Sequence, residues 1–348
     1  MSTPVVSLFS GAGGLDYGFM QEGFTAVAAF DADPAAVMSY NFNLGDSVAR
    51  VCDLSASNGD EIVHVLNRAT AADIPRGVLG GPPCQSFSIG NAYAKSDDIR
   101  HTLPKSYAHI LQRLNAEYHL DFFIFENVRG LTGQRHRAEF DGFKTLFRQA
   151  GFDLFEAILD AQHYGVPQKR QRLFVVGFNA NKFRGWEFRF PPPFNGPVPT
   201  VADAIGSLPP PQYYMRGMDT SQIPEHPNHC AMRPKSEKFR GGFLTAGQTK
   251  GKSFRVLSWD KPSYTVAYGH NEVHVHPSGT RRLSIYEAML LQGFPTSYRL
   301  LGTLTDQIRQ VSNAVPPPMA RELAKAIRLF LSGDPRYRVP KPIQASLL

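Results

Sequence analysis

The stretch Val5-Val6-Ser7-Leu8-Phe9, followed directly by Ser10-Gly11-Ala12-Gly13-Gly14, decides how the chain folds. The first five residues are mostly β-branched or apolar and predict a buried strand, and the glycines after them predict a tight turn. Leu15 and Phe19 then recur at helical spacing. A glycine turn that opens a helix lets backbone N–H groups approach a polar or anionic ligand. Asp16 stands where the dinucleotide fingerprint would have its third glycine, so the turn alone leaves the ligand open.

Four further apolar runs are each followed by a polar group, which predicts an open α/β sheet. The runs at 25–30 and around 51 are followed by Asp31 and Asp53, the run at 77–79 by Cys84, and the run at 121–125 by Glu126. Because the carboxyl ends of parallel strands form one ligand-binding edge, we expect these groups to lie together beside the glycine turn. Asp31 lies where such folds place the acid that accepts from ribose hydroxyls. Asp53 alone is more typical of a turn or a helix cap.

Cys84 stands in the stretch Gly80-Gly81-Pro82-Pro83-Cys84-Gln85-Ser86-Phe87-Ser88. Two prolines fix φ near about −65° and remove two backbone donors, so the loop that presents the thiol is stiff. A free cysteine is more often a small buried hydrophobe, and the loop alone therefore leaves a catalytic role open. With Cys52 and Cys230, the chain has three cysteines and no Cys-x-x-Cys pair. This spacing predicts neither a disulfide framework nor a metal site and fits a reducing compartment.

The charge of the chain is concentrated in one region. The net charge is +7, and between Arg233 and Arg282 ten Lys and Arg residues stand against three acids. Residues 186–280 are rich in Pro, Gly, Tyr and basic residues without a helical period, which predicts a smaller domain of strands and loops. Aromatic residues interleaved with cations are typical of a nucleic-acid surface. His274 and His276 share a strand face, but no cysteine or carboxylate stands at ligand spacing, so we expect no metal there.

The end of the chain returns to regular helices. Residues 284–292 are helical in pattern, and Pro316-Pro317-Pro318 opens an amphipathic helix over Met319–Leu331. This helix must bury its apolar face, most simply against the first domain. We therefore expect a large domain formed by residues 1–185 and 306–340, and a small domain formed by residues 186–305. No run of about 18 apolar residues and no signal peptide is present, and we expect a cytoplasmic protein.

Six motifs, in order, resemble the bacterial DNA (cytosine-5)-methyltransferases of restriction-modification systems. They are Phe9-Ser10-Gly11-Ala12-Gly13-Gly14-Leu15, Gly81 to Ser88, Glu126-Asn127-Val128, Gln168-Lys169-Arg170-Gln171-Arg172, Arg282 to Pro295, and Gln310-Val311-Ser312-Asn313-Ala314-Val315-Pro316. The resemblance covers residues 4–178 and 281–331, and residues 186–280 fall where that family keeps its target-recognition region. It implies the Rossmann-like, mixed and mostly parallel sheet of S-adenosylmethionine-dependent methyltransferases, with a second, smaller strand-and-loop domain.

The resemblance implies a catalytic set of four residues. Cys84 would add to C6 of a cytosine, which makes C5 nucleophilic. Glu126 would contact N3 and the exocyclic amine, Arg172 would lie near O2, and both would stabilise the ring during the addition. Arg170 would orient the pocket. Without the resemblance, Arg170 and Arg172 could equally be cations on a solvated strand edge.

The implied cofactor is S-adenosylmethionine. Phe9 would pack on the adenine, Asp31 would hold the ribose hydroxyls and Asp53 the adenine amino group. Other positions of the cofactor-side motifs are Ser10, Gly11, Gly13, Gly14, Pro83 and Asn313. Ala32 stands where the family often carries a bulky residue, which would leave one adenine face less covered.

The implied substrate is a cytosine flipped out of double-stranded DNA. Ser88 and Gly90 would belong to the loop that closes over the base, and Arg240, Lys250, Lys252 and Arg255 would contact the DNA. The chain would be a monomer, and a cognate restriction endonuclease encoded nearby is a further partner that this resemblance suggests. Three alternatives remain: a transfer-RNA cytosine-5 methyltransferase of the same catalytic family, a Rossmann-type oxidoreductase, and an inactive binding protein.

Overall fold

The computed structural model describes residues 2–68, 74–83, 103–215, 217–248, 254–265 and 274–341. A seven-stranded sheet with the order β3-β2-β1-β4-β5-β8-β6 organises these residues. Its strands, with the short β7 that precedes β8, are β1 (Thr3–Leu8), β2 (Phe24–Asp31), β3 (Ala49–Val51), β4 (Gly77–Gly80), β5 (Phe122–Val128), β6 (Phe152–Asp160), β7 (Gln168–Lys169) and β8 (Gln171–Asn179).

The first five strands of this sheet are parallel, and β8 runs antiparallel to both of its neighbours, β5 and β6. The chain moves outward from β1 to β2 and β3 and then returns to place β4 on the other side of β1. The carboxyl ends of β1 and β4 therefore flank the point where the strand order reverses, which is where open α/β sheets bind ligands. The expected mixed, mostly parallel sheet is confirmed.

Helices cover both faces of the sheet because the central strands are apolar on both sides. In β5, Phe122 and Ile124 point into one hydrophobic cluster and Phe123 and Phe125 into the other, and all four are fully buried. The helices are α1 (Gly14–Met20), α2 (Pro34–Leu44), α3 (Asp60–Leu66), α4 (Leu103–Tyr118), α5 (Arg137–Gln149), α6 (Val201–Ile205), α7 (Ile285–Leu291), α8 (Leu304–Asn313) and α9 (Pro317–Leu331).

The last helix, α9, returns to the sheet as its sequence predicts. Leu323, Ile327 and Phe330 are fully buried in the same cluster as the apolar residues of α1. Gly18 makes this approach possible, because a Cβ at that position would lie 2.6 Å from the carbonyl oxygen of Pro317. None of the helices formed by the described residues is long and apolar enough to cross a lipid bilayer.

Residues 186–305 contain short strands rather than a second large sheet. The strands that complete the fold are β9 (Trp186–Phe188), β10 (Gln212–Tyr213), β11 (Cys230–Ala231), β12 (Arg255–Val256), β13 (Ser263–Tyr264), β14 (His274–Val275) and β15 (Arg338–Pro340). They form two-stranded pairs, of which β13 with β7 attaches this region beside the main sheet and β15 with β9 fixes the chain after α9. The described residues of this segment form short strands and loops, as the sequence predicts.

Candidate active site

A cleft of about 1170 Å³ lies at the carboxyl edge of the sheet. It exceeds the roughly 300–1,000 Å³ of common ligand pockets, which leaves room for a cofactor and part of a second molecule. The sequence-predicted residues that line it are Phe9, Ser10, Gly11, Gly14, Asp31, Pro83, Glu126, Arg170, Arg172 and Asn313. Residues from the two ends of the chain thus meet at one edge, as the strand-end pattern predicts.

The turn after β1 is held by Asp31 at the end of β2. The Gly11 N–H donates to Asp31 Oδ2 at 2.8 Å, and the Asp33 N–H donates to Asp31 Oδ1 at 2.8 Å. Burial raises the pKa of Asp31, and these two backbone donors with Arg309 oppose that rise. Each carboxylate oxygen keeps a free lone pair, so Asp31 can still accept from ligand hydroxyls.

Phe9 leaves β1 in a left-handed conformation, with φ of 53°. A bulky residue rarely adopts this conformation, and such strain is found where a local structure serves a ligand. Gly11 also has a positive φ, of 54°, and a Cβ at that position would meet no atom within 4 Å. The backbone therefore remains open on the side of the cleft.

Gly13 and Gly14 serve packing. A Cβ at Gly13 would overlap the Leu44 side chain, and one at Gly14 would lie 2.5 Å from the carbonyl oxygen of Val315. Gly14 lines the cleft, whereas Gly13 is not among the described residues that do so. Both glycines let α1 lie close to its neighbours, and α1 thereby positions the turn.

The buried hydroxyls of Ser7 and Ser10 and the buried carboxyl of Asp16 lie in the cleft wall. Asp16 interacts with the Ser7 hydroxyl and accepts from the Tyr40 hydroxyl at 3.0 Å, whereas Ser10 Oγ has no hydrogen-bond partner among the described residues. Burial raises the pKa of Asp16 to about 6. An unpartnered buried hydroxyl is costly, so Ser10 Oγ is available to a polar group of a ligand in the cleft.

A buried cluster of one carboxyl and two guanidinium groups lies on the other side of the cleft; we call Glu126, Arg170 and Arg172 the catalytic cluster. Arg172 Nε lies 2.8 Å from Glu126 Oε1. In the β5–β8 pairing Arg172 lies opposite Val128, so Arg172 and Glu126 form a diagonal cross-strand pair. Burial raises the pKa of Glu126, and the two arginines oppose that rise.

Arg170 links this cluster to the last part of the chain. Its side chain is fully buried, and Nη2 donates to the carbonyl oxygen of Ser312 at 2.7 Å. Burial lowers the pKa of both arginines. The alternative of a solvated strand edge is therefore wrong for Arg170.

Gly81 gives Glu126 its space. A Cβ at Gly81 would lie 2.7 Å from Glu126 Oε2. Pro82 and Pro83 follow and line the same cleft. The segment that leads to Cys84 thus passes directly beside the catalytic cluster.

Other predicted residues lie apart from the cleft or outside the described residues. Asp53 is exposed, accepts from the Ser55 N–H at 2.9 Å, and is not among the described residues that line the cleft. It has the turn role that its sequence position alone favours. Cys84, Ser88, Gly90, Lys250 and Lys252 lie outside the described residues.

Cations in the segment 186–305, which we call the recognition segment, stack on aromatic rings. The pairs are Arg233 with Tyr213, Lys238 with Phe254, Arg255 with Tyr264 and Arg282 with Phe239, with distances from the cation to the ring centre of 4.8–5.7 Å. Arg240 is exposed. Arg255 follows Phe254, whose φ is 58°, and it stacks on Tyr264 next to Thr265, which lines the cleft.

The basic excess of this segment is smaller at the surface than the residue count predicts. Arg281 is buried and forms a bidentate ion pair with the fully buried Glu287, at 2.8 and 2.6 Å. Arg282 is also buried. His274 contacts the carbonyl oxygen of Thr265, and His276 contacts the Ser278 hydroxyl. These side chains hold the segment together.

Sequence reasoning missed some residues of the cleft. Asp16 was considered only as a missing glycine, although a carboxylate in the first turn of a buried helix is itself a signal. Arg309 lies on α8 and donates to Asp33 Oδ2 at 2.9 Å, beside Asp31. The position of a charged residue on an amphipathic helix does not predict a partner that is far away in the sequence.

Comparisons with known proteins identify the family of the chain. The sequence profile of the family described as C-5 cytosine-specific DNA methylase matches residues 3–329. The chain is 31% identical to the Type II methyltransferase M.MthTI of Methanothermobacter thermautotrophicus, over 96% of this chain and 99% of that protein. It is 30% identical to M.NmeDI of Neisseria meningitidis serogroup C, over 95% of this chain and 84% of that protein.

A solved structure shows the same fold. A prophage-encoded protein of E. coli, described as a candidate DNA modification methyltransferase, superimposes with a TM-score of 0.76 at 25% identity, covering 95% of this chain and 100% of that one. The profile match spans most of the chain, from β1 to the end of α9. The chain therefore belongs to the C-5 cytosine-specific DNA methylases and is a DNA (cytosine-5)-methyltransferase.

Proposed function

We propose that this enzyme methylates C5 of a cytosine turned out of a specific double-stranded DNA sequence, through a covalent bond between Cys84 and C6. The observation that carries the proposal is the Glu126–Arg172 pair, with 2.8 Å between its charged groups, buried in the cleft beside the segment that ends in Cys84. A carboxyl and a guanidinium side by side match N3 and O2 of a cytosine ring. Gly81, Pro82 and Pro83 line the same cleft and directly precede Cys84 in the sequence, which supports a role for this thiol there.

The other half of the cleft fits S-adenosylmethionine, which when bound supplies a methyl group on a positively charged sulfur. Asp31 would accept from the ribose hydroxyls, and Phe9 would pack against the adenine. Ser10, Gly11 and Gly14 line the wall where the buried Ser10 hydroxyl has no partner among the described residues, which suits the amino-acid end of the cofactor. Pro83 and Asn313 would complete the wall. Gly13 acts through the packing of α1. Asp53 is not among the described residues that line the cleft, so it would approach the adenine amino group from outside the cleft.

Each member of the catalytic cluster has a distinct task. The Cys84 thiolate adds to C6, and electron density moves onto N3 and O2. Burial raises the pKa of Glu126, which favours its role as the acid at N3, and Arg172 stabilises the negative charge at O2. Arg170, tied to the Ser312 carbonyl, holds the cluster in register with the cofactor wall. The addition makes C5 nucleophilic; after C5 has taken the methyl group, loss of the C5 proton and of the Cys84 thiolate from C6 gives 5-methylcytosine.

The recognition segment would bind the DNA. We propose a catalytic domain of residues 1–185 and 306–340 and a target-recognition domain of residues 186–305. Arg240 and Arg255 would contact the duplex, together with Lys250 and Lys252, while Ser88 and Gly90 belong to the loop over the flipped base. Arg255 is supported by its place beside the cleft on Tyr264.

The cellular setting follows from the DNA substrate. We propose a monomer that acts on the nucleoid in the cytoplasm. The two curated relatives described above are named Type II methyltransferases, which supports a cognate restriction endonuclease as a partner of this chain.

Replacement of Cys84 by serine tests the covalent mechanism. Cys84→Ser is expected to abolish transfer of tritiated methyl groups to plasmid DNA while DNA binding is retained, because a hydroxyl is a much poorer nucleophile than a thiolate. Cys52→Ser is the matched control, since Cys52 is a partly exposed free thiol that is not among the described residues lining the cleft, and it should leave transfer unchanged. Methylation by Cys84→Ser would refute the mechanism. Transfer RNA serves as the negative substrate, and bisulfite sequencing of host DNA identifies the methylated sequence.

A further inference from the structure

Phe243 is the most exposed large apolar side chain among the described residues, at 71% exposure. It lies in the turn Arg240-Gly241-Gly242-Phe243 of the recognition segment. A single exposed apolar residue is ordinary on a protein surface. The way this turn is fixed makes it unusual.

Buried residues anchor the turn at both ends. Phe239 and Leu244, which flank it directly, are only 5% and 8% exposed and pack in a small cluster with Val256 and Val275. The guanidinium of Arg282 lies over the Phe239 ring at 5.7 Å. Only the four residues between these anchors are free of the cluster, so the turn presents its side chains at a fixed place.

The two glycines shape the turn around the phenylalanine. A Cβ at Gly241 would overlap the Phe243 ring, so the ring lies directly on the Gly241 backbone. Gly242 has a φ of 66°, which side-chain-bearing residues rarely adopt. The ring thus packs on the Gly241 backbone on one side and is exposed to solvent on the other.

Cations surround the turn in sequence. Arg233, Lys235, Lys238 and Arg240 are all exposed, and Glu237 is the one acid between Arg233 and Arg240. A polyanion is the partner that such a surface attracts. On duplex DNA, the cations reach phosphates, whereas an apolar ring gains nothing from a phosphate and contacts the edge of a base in a groove, such as a thymine methyl group.

We propose that Phe243 packs its ring against a base of the recognition sequence, and that the neighbouring Arg240 contacts a phosphate. This inference rests on the proposed binding of DNA by the recognition segment. It assigns the turn a part in sequence choice, because only the base contact depends on which nucleotide stands there.

The salt dependence of binding separates the two contacts. We measure fluorescence anisotropy of a labelled duplex that carries the methylated sequence found by bisulfite sequencing, over a series of salt concentrations. Phe243→Ala is expected to weaken binding roughly tenfold at every salt concentration, because loss of an apolar contact to a base edge releases no counterions. Arg240→Gln is expected to reduce the slope of log affinity against log salt by about one. A duplex without the sequence should lose little affinity with Phe243→Ala.

Two variants control for general effects. Phe42→Ala removes another exposed phenylalanine, 53% exposed and beneath Arg299, at the end of α2 that lies away from the cleft. It should change affinity by less than about twofold. Phe243→Tyr keeps the ring and should bind like the wild type.

Three outcomes overturn the inference: unchanged affinity of Phe243→Ala, an equal loss on both duplexes, or a changed salt slope for that variant. If Phe243→Ala changes the sedimentation of the purified protein, the turn contacts a second copy of the chain, and this result would also overturn the inference. If the wild type itself methylates no DNA, the proposed function fails before this comparison begins.

Discussion

The catalytic cluster and the recognition segment use charged side chains in opposite ways. In the cluster, Glu126 and Arg170 are buried, the Arg172 side chain is only 13% exposed, and the three contact one another or the backbone. In the recognition segment, Arg233 and Lys238 are exposed and lie over aromatic rings. The charged groups of the catalytic cluster have partners within the protein, whereas the exposed cations of the recognition segment keep N–H donors available to another molecule.

The difference matches the ligands that we propose for the two regions. A cytosine ring has donors and acceptors at fixed positions, so the groups that meet it have to be placed before it arrives. Duplex DNA brings a regular row of phosphates, and stacked cations on short strands can adjust to it. Burial therefore sets reactivity in one region, and exposure sets affinity in the other.

Removing the carboxyl of the catalytic cluster should give the largest effect. Glu126→Gln is expected to lower kcat roughly 10²–10⁴-fold, because an amide cannot donate the acid proton at N3. The same variant leaves two buried guanidinium groups without a counter-charge, so its free energy of unfolding should also fall. Initial rates of methyl transfer and urea unfolding measure the two effects.

Glu117→Gln is the control for the loss of a glutamate. Glu117 pairs with Arg113 at 2.9 Å on the exposed surface of α4. Exposed pairs contribute at most about 1 kcal/mol, so both rate and stability should be close to the wild type. Equal kcat for Glu126→Gln and the wild type would remove Glu126 from the mechanism.

The sequence predicts the carboxyl edge well because strand ends and glycine turns are local signals. Asp31, Gly11 and Glu126 are where the pattern of apolar runs places them. The return of α9 is predicted for a related reason, since an amphipathic helix has to bury its apolar face. The sheet then brings these local features together.

Long-range burial of charge is what the sequence does not predict. Arg281 counts as a surface cation in any residue tally, yet Glu287 on the next helix neutralises it. Asp16 becomes a buried carboxyl because Tyr40, on a different helix, meets it. In both cases tertiary packing determines the partner, and the spacing of residues along the chain does not predict it.

Asp16 should produce an intermediate effect that depends on pH. Its pKa is about 6 in the folded protein and near 3.8 in the unfolded chain. The folded state therefore binds more protons between these values, and stability falls as pH rises through this window. Two pKa units correspond to about 3 kcal/mol. Urea unfolding from about pH 4 to pH 7 should show wild type losing that much relative to Asp16→Asn.

Asp60→Asn gives the opposite sign and serves as the control. The side-chain hydrogen bond from Arg113 lowers the pKa of Asp60, so its contribution is present above the unfolded pKa and is lost as pH falls. Parallel stability curves for the wild type and Asp16→Asn would show that Asp16 ionises freely in the fold. Burial of the Asp16 carboxyl in the cleft wall would then carry no electrostatic cost, and in this respect the cleft would not differ from the recognition segment.

The smallest effect should come from a single exposed cation of the recognition segment. Arg233 is exposed and lies over the Tyr213 ring at 5.0 Å. Arg233→Gln is expected to weaken DNA binding a few-fold at low salt and to reduce the salt slope by about one, while stability is unchanged. Anisotropy titrations and urea unfolding on the same variant measure both. A loss of stability with an unchanged salt slope would place Arg233 with the internally paired arginines, and the contrast between the two regions would fail at that residue.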